Sequence, residues 1–133
     1  MALKFEDLES KIIVKDQYVL VNSRDVVDYY DIIETLGKLF VMPEFYSKHL
    51  IWVFNEGSMN LNYADLDKIK DFVTKHRPSG FNANKSAIVA KTGLQRALAE
   101  MYASLRNELP RKIKVFSDLE SAEVWIAESS ASP

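Results

Sequence analysis

Residues 49–69 read HLIWVFNEGSMNLNYADLDKI. Leu50 to Phe54 is an unbroken apolar run, a pattern suited to a strand covered on both faces, as in the interior of a parallel sheet. Past Gly57 and Ser58 the period changes. Asn62 precedes YADLDKIKDFVTKH, in which Leu66, Ile69 and Phe72 or Val73 form one stripe, while Asp65 and Asp67 sit where the positive end of a helix favours them. The stretch therefore predicts a central strand, a polar turn and an amphipathic helix.

Working outward toward the amino end, KIIVKDQYVLV places two short β-branched or aromatic runs around Asp16 and Gln17, the pattern of an antiparallel hairpin. In NSRDVVDYYDIIETLGKLF, Val26, Tyr30, Ile33, Leu36 or Gly37, and Phe40 recur at helical spacing, with Ser23 placed to cap the first turn and Pro43 just beyond the end. Toward the carboxyl end, KSAIVA is a short buried strand. TGLQRALAEMYASLRNEL is a helix with Thr92 and Gln95 at capping-box spacing and Leu94, Ala97 or Leu98, Met101 and Leu105 on one face. KIKVF is a further strand, and SDLESAEVWIAE a last helix with Ser117 and Glu120 at capping-box spacing and Leu119, Ala122, Trp125 and Ile126 inward. The order is β-β-α-β-α-β-α-β-α. Alternation of this kind demands a largely parallel sheet, to which the hairpin adds an antiparallel pair. The fold class expected is α/β, with about five strands and about four amphipathic helices. Residues 1–10 read as an extension, 11–127 as one domain and 128–133 as a frayed tail.

The chain of 133 residues carries 17 Lys and Arg against 19 Asp and Glu, a formal charge of -2, so no global positive field draws in a phosphate backbone. There is no cysteine, which removes thiolate nucleophiles, disulfides and Cys-based metal sites together. MALKFEDLES has charges where a signal peptide needs an apolar core, and no apolar run approaches the roughly 20 residues that span a bilayer. These features predict a cytoplasmic protein with no nucleic-acid partner, no stable membrane insertion and no cofactor or metal.

The element order, together with KSAIVAKTGLQRALAEMYASLRNELPRKIKVFSDLESAEVWI at 85–126, resembles the bacterial SpoIIAA-like group of STAS-type domains. That fold is shared with sulfate-transporter tails and anti-sigma factor antagonists. The telling residues are the AIVA strand, the long helix after it, and an ending built from Val115, Phe116, Asp118, Leu119, Ala122 and Trp125. The resemblance covers about residues 11–127, and much of its signature is packing, so it speaks to fold more than to function. In the antagonists a serine at the start of the helix after the central strand, within Asp-Ser-Ser/Thr-Gly, is phosphorylated by a partner kinase. Here Leu61, Asn62, Tyr63 and Ala64 stand at that motif, so the hydroxyl is missing. Ser58 lies earlier in the loop, where a phosphate would sit about a turn from the helix N-terminus; a solvent-facing turn serine is the simpler reading.

Open α/β sheets bind ligands outside the carboxyl ends of their parallel strands. Three loops should meet there, bringing Asn55, Glu56, Ser58, Asn60, Lys91, Thr92 and Ser117 to one rim. The competing account is that Asn62, Thr92 and Ser117 are ordinary helix caps. His49 and His76 fall at the other end of the sheet and do not pair. No Gly-rich phosphate loop, nucleophile elbow or zinc-protease pattern occurs. Glu56 with Lys91 is the only enzymatic constellation that can be drawn, and a solvated loop carboxylate is the commoner state. Arg106, Arg111, Lys112 and Lys114 read as a solvated rim, with Lys112 and Lys114 guarding an edge strand. Leu39, Phe40, Val41, Met42, Phe45 and Tyr46 form more apolar material than a connection needs. Most of it should fold back as core, and in the remainder Phe40, Met42, Phe45 and Tyr46 are candidates for a dimer contact or the mouth of an apolar cavity. The expectation is a non-catalytic regulatory or protein-interaction module, binding a protein partner or itself. The alternative, suggested by the apolar 39–46 segment and implied by the kinship of some of the resembled group with SEC14-like lipid-binding folds, is a carrier or sensor of a small apolar or amphipathic, lipid-like ligand.

Overall fold

The computed structural model describes residues 11–23, 27–54, 59–76, 84–91, 96, 99–100 and 112–128. The opening hairpin pairs β1 (Lys11–Val14) with β2 (Tyr18–Asn22) antiparallel, Ile13 opposite Leu20. Its turn is Asp16 and Gln17, and the Lys48 ammonium donates to the carbonyls of Lys15 at 2.6 Å and Asp16 at 2.9 Å. Then follow β3 (Val27–Asp28), α1 (Tyr29–Phe40), α2 (Pro43–Ser47), β4 (His49–Phe54), β5 (Met59–Asn60) and α3 (Tyr63–His76). β6 (Lys85–Ala90), β7 (Lys112–Phe116) and α4 (Leu119–Ala127) complete the described elements, and between β6 and β7 Arg96, Ala99 and Glu100 are helical.

The main sheet has five strands in the order β1-β2-β4-β6-β7, every pair parallel except the hairpin, so the expected α/β class with a mixed sheet is what the chain adopts. β4 is central, with Leu50, Ile51, Trp52 and Phe54 all buried. Pleat alternation sends its side chains to two different cores. On one face Leu50, Trp52 and Phe54 join Val19 and Val21 of β2 beneath Ile32, Leu36 and Leu39 of α1, Phe45 of α2, and Leu66, Ile69 and Val73 of α3. On the other, Ile51, Ala87 and Val89 meet Ala122 and Ile126 of α4. Ala99 packs with Ala90 and Val115, extending the first face toward β7.

Three local expectations are corrected. α1 begins at Tyr29 rather than after Ser23, because Asp28 supplies a reciprocal capping box with Asp31, at 3.0 Å and 2.9 Å. Ser23 is instead buried, and its Oγ accepts from the Trp52 indole N–H at 2.8 Å. The buried stripe of α1 is Ile32, Thr35, Leu36 and Leu39, and Tyr30, expected inward, is 76% exposed. The connection after Phe40 is not a plain loop but contains α2, whose Pro43 stands in the first turn, where its missing N–H costs nothing. The anticipated stripe of Leu94, Ala97 or Leu98, Met101 and Leu105 lies outside the described residues.

Candidate functional site

β2, β4, β6 and β7 run parallel, so their carboxyl ends share one rim, and the chain enters α1, α3 and α4 from it. The segment after β2 and the segment after β4 are tied there by a two-stranded parallel pair, Val27 opposite Met59 and Asp28 opposite Asn60. Asn60 is thus placed at the rim by backbone pairing. Asn55, Glu56, Ser58 and Thr92, named with it from the sequence, lie outside the described residues.

Each of these helix starts is closed by the chain's own side chains. Asp28 and Asp31 close α1. At α3 the Asp65 N–H donates to Asn62 Oδ1 at 2.9 Å and the Asn62 N–H to Asp65 Oδ2 at 3.0 Å, so Asn62 is the cap that the sequence implied. At α4 the cap is Asp118, whose Oδ1 accepts from the Ser121 N–H at 2.7 Å; Ser117, expected in that role, stands one residue too early. The Ser121 N–H and hydroxyl, followed by the charge of Lys91, hold the Asp118 carboxyl below the usual carboxylate range.

Ser117 is exposed, and its Oγ accepts from Arg96 Nη1 at 2.7 Å. Lys91 and Ser117 therefore belong to one neighbourhood, linked through Asp118, with Arg96 as a member that spacing did not single out. A signal for Asp118 existed, since Asp118 and Ser121 stand at the same three-residue interval as Ser117 and Glu120. The chemical consequence is that the described helix starts carry carboxylates, with Lys91, Arg96 and Lys68 as the cations near them. Asp28, Asn62 and Asp118 each take up one first-turn N–H of the kind that can cradle a phosphate, and the carboxylates of Asp28, Asp31, Asp65 and Asp118 oppose an anion there. Beside them Tyr30 projects from the first turn of α1, its ring 5.4 Å edge-on from that of Tyr29, and Lys68 Nζ lies 5.6 Å from the Tyr29 ring.

The apolar segment is arranged differently. Phe45 is 3% exposed; Phe40, Met42 and Tyr46 are half-buried against the same core. Phe40 lies 5.7 Å from Phe45 and 5.8 Å from Phe72, nearly parallel to the latter, and Tyr46 is edge-on to Phe45 at 5.3 Å. The Tyr46 hydroxyl donates to the Phe40 carbonyl, and Asn84 Nδ2 donates to the Tyr46 carbonyl at 2.9 Å.

At the amino end of the sheet His49 Nδ1 accepts the Lys85 N–H at 2.9 Å, while the exposed His76 ring lies 4.5 Å from that of Phe72. Lys85 is a feature the sequence did not flag. Only 9% exposed, it donates to the Trp125 carbonyl at 2.8 Å with Nζ 4.6 Å from the Trp125 ring, and desolvation pushes its pKa down. With the 2.6 Å hydrogen bond from the Tyr18 hydroxyl to Glu123 Oε2, it pins α4 to the sheet at two points. Among the described residues no group of three or more His, Asp or Glu side chains is placed to hold a metal, and no helix is long and apolar enough to cross a membrane. The chain matches no family model, no curated protein and no solved structure.

Proposed function

We propose that the chain is a SpoIIAA-like, STAS-type module that works by binding a protein partner or itself, without catalysis and without a phosphorylatable serine at the start of α3. Support for the fold kinship comes from the opening antiparallel hairpin, the parallel remainder and a last helix carrying Ala122, Trp125 and Ile126 against the sheet. The functional reading rests on the rim, where this architecture collects its chemistry. Helix starts closed by aspartates and an asparagine leave an exposed aromatic, Tyr30, as the group best suited to recognition, since tyrosine brings contact area with little entropy to lose.

Native mass spectrometry of protein purified from its own cells tests this reading. A reproducible heteromeric or self-associated mass that Tyr30→Ala removes supports it. A strictly monomeric mass without a partner overturns it, and a retained small molecule selects the carrier reading instead. No ring contact in the Leu39–Tyr46 segment favours that second reading, because Phe40 lies between Phe45 and Phe72 as a neighbour of both.

A further inference from the structure

The two edges of the main sheet are built differently. β7 alternates exposed Lys112 and Lys114, a charge pattern that discourages pairing with another strand. β1 reads Lys-Ile-Ile-Val, with Ile13 40% and Val14 44% exposed, and among the described residues no strand lies outside it. The Lys15 N–H donates to the Tyr18 carbonyl at 2.8 Å, which makes that pair a hydrogen-bonded one. Antiparallel alternation then makes Ile13–Leu20 and Lys11–Asn22 hydrogen-bonded as well, and turns the N–H and C=O of Ile12 and Val14 away from β2. Two donors and two acceptors thus stand in register along an edge flanked by exposed apolar side chains.

We propose that β1 accepts an extended segment of a protein partner by strand addition, and that the segment carries carboxylates on either side of an apolar residue. The choice of occupant follows from charge. Lys11, Ile13 and Lys15 share one face of β1 by the two-residue period, and the Lys48 ammonium adds a cation at the hairpin turn. A second copy laid antiparallel with Ile13 on Ile13 would set Lys11 of each copy against Lys15 of the other, an unfavourable opposition. An acidic–apolar–acidic strand in the same register places opposite charges there and covers Ile13. This surface differs from the rim containing Tyr30, so the two proposals stand or fall separately.

The test is fluorescence anisotropy of the full chain with labelled Thr-Glu-Thr-Val-Thr-Glu-Thr, against the same peptide with Lys for Glu. Saturable binding of the acidic peptide, weaker by about tenfold or more for the basic one and reduced by salt, is expected. Val14→Pro removes one outward N–H while leaving every β1–β2 hydrogen bond in place, so it abolishes binding with an unchanged circular dichroism spectrum; Lys15→Glu weakens binding of the acidic peptide. The Ile12 and Val14 amides exchange rapidly in the free chain and slow on adding peptide. Absence of saturable binding overturns the proposal, as does equal binding of both peptides or to Val14→Pro. Slow exchange of both amides before peptide is added, or a dimer that Val14→Pro dissolves, overturns it too, by showing the edge already occupied.

Discussion

Ser23 and Trp52 form a buried polar pair in the middle of an apolar layer. Removing the hydroxyl leaves an indole N–H away from water, so Ser23→Ala should cost about 1–3 kcal/mol in urea unfolding; a cost near zero would mean that the indole finds another acceptor. Tyr18 behaves differently because its hydroxyl titrates. Burial, then the hydrogen bond and charge of Glu123, raise its pKa from 10.0 to about 12, so the neutral phenol is the form the fold favours. Its contribution is complete below pH 10 and is lost as pH climbs through about 12. Tyr18→Phe should flatten that alkaline limb of the stability curve, and an unchanged limb would remove the role given to Glu123. Neither pairing was legible in the sequence, because residues 29 and 105 positions apart meet only through the sheet.

The elements themselves were legible wherever period and burial agree. Leu50 to Phe54 is apolar throughout because it truly has two covered faces, and Leu66, Ile69 and Val73 repeat because α3 has one. The helix starts were less legible, since several Asp, Ser and Asn side chains stand near each start and any could reach the third N–H. Asp28 displaced Ser23, and Asp118 displaced Ser117, in both cases by standing immediately before the first helical residue. The difference is measurable: in urea unfolding Asp118→Ala should lower stability more than Ser117→Ala does, with the opposite ranking reinstating Ser117 as the cap. Because the Asp118 pKa is lowered in the fold, its contribution is present above the ordinary carboxylate value and fades as pH falls through the lower one. Asp118→Asn should therefore make stability less dependent on pH on the acid side. The candidate rim was legible in part: topology places Asn60, Lys91 and Ser117 there, but the hydrogen bond of Arg96 to Ser117 and the outward turn of Tyr30 are not encoded in spacing.

Across the whole molecule the sheet is covered unequally. One face lies under α1, α2, α3 and the helical residue Ala99, whereas the other has α4 as its described cover over Ile51, Ala87 and Val89. Ile126 is a keystone of the thinner layer, and Ile126→Ala should cost about 2–5 kcal/mol and increase binding of a dye that senses apolar surface. Loss of stability without added dye binding would show that neighbouring side chains close over the gap. Unequal cover also bears on biosynthesis. Leu119–Ala127 follows every described strand, so a ribosome delivers this cover for Ile51 and Val89 only after the sheet beneath it has been made. Until that helix emerges, the nascent protein presents an apolar plane to the cell, and holding chaperones should engage it in that interval rather than earlier.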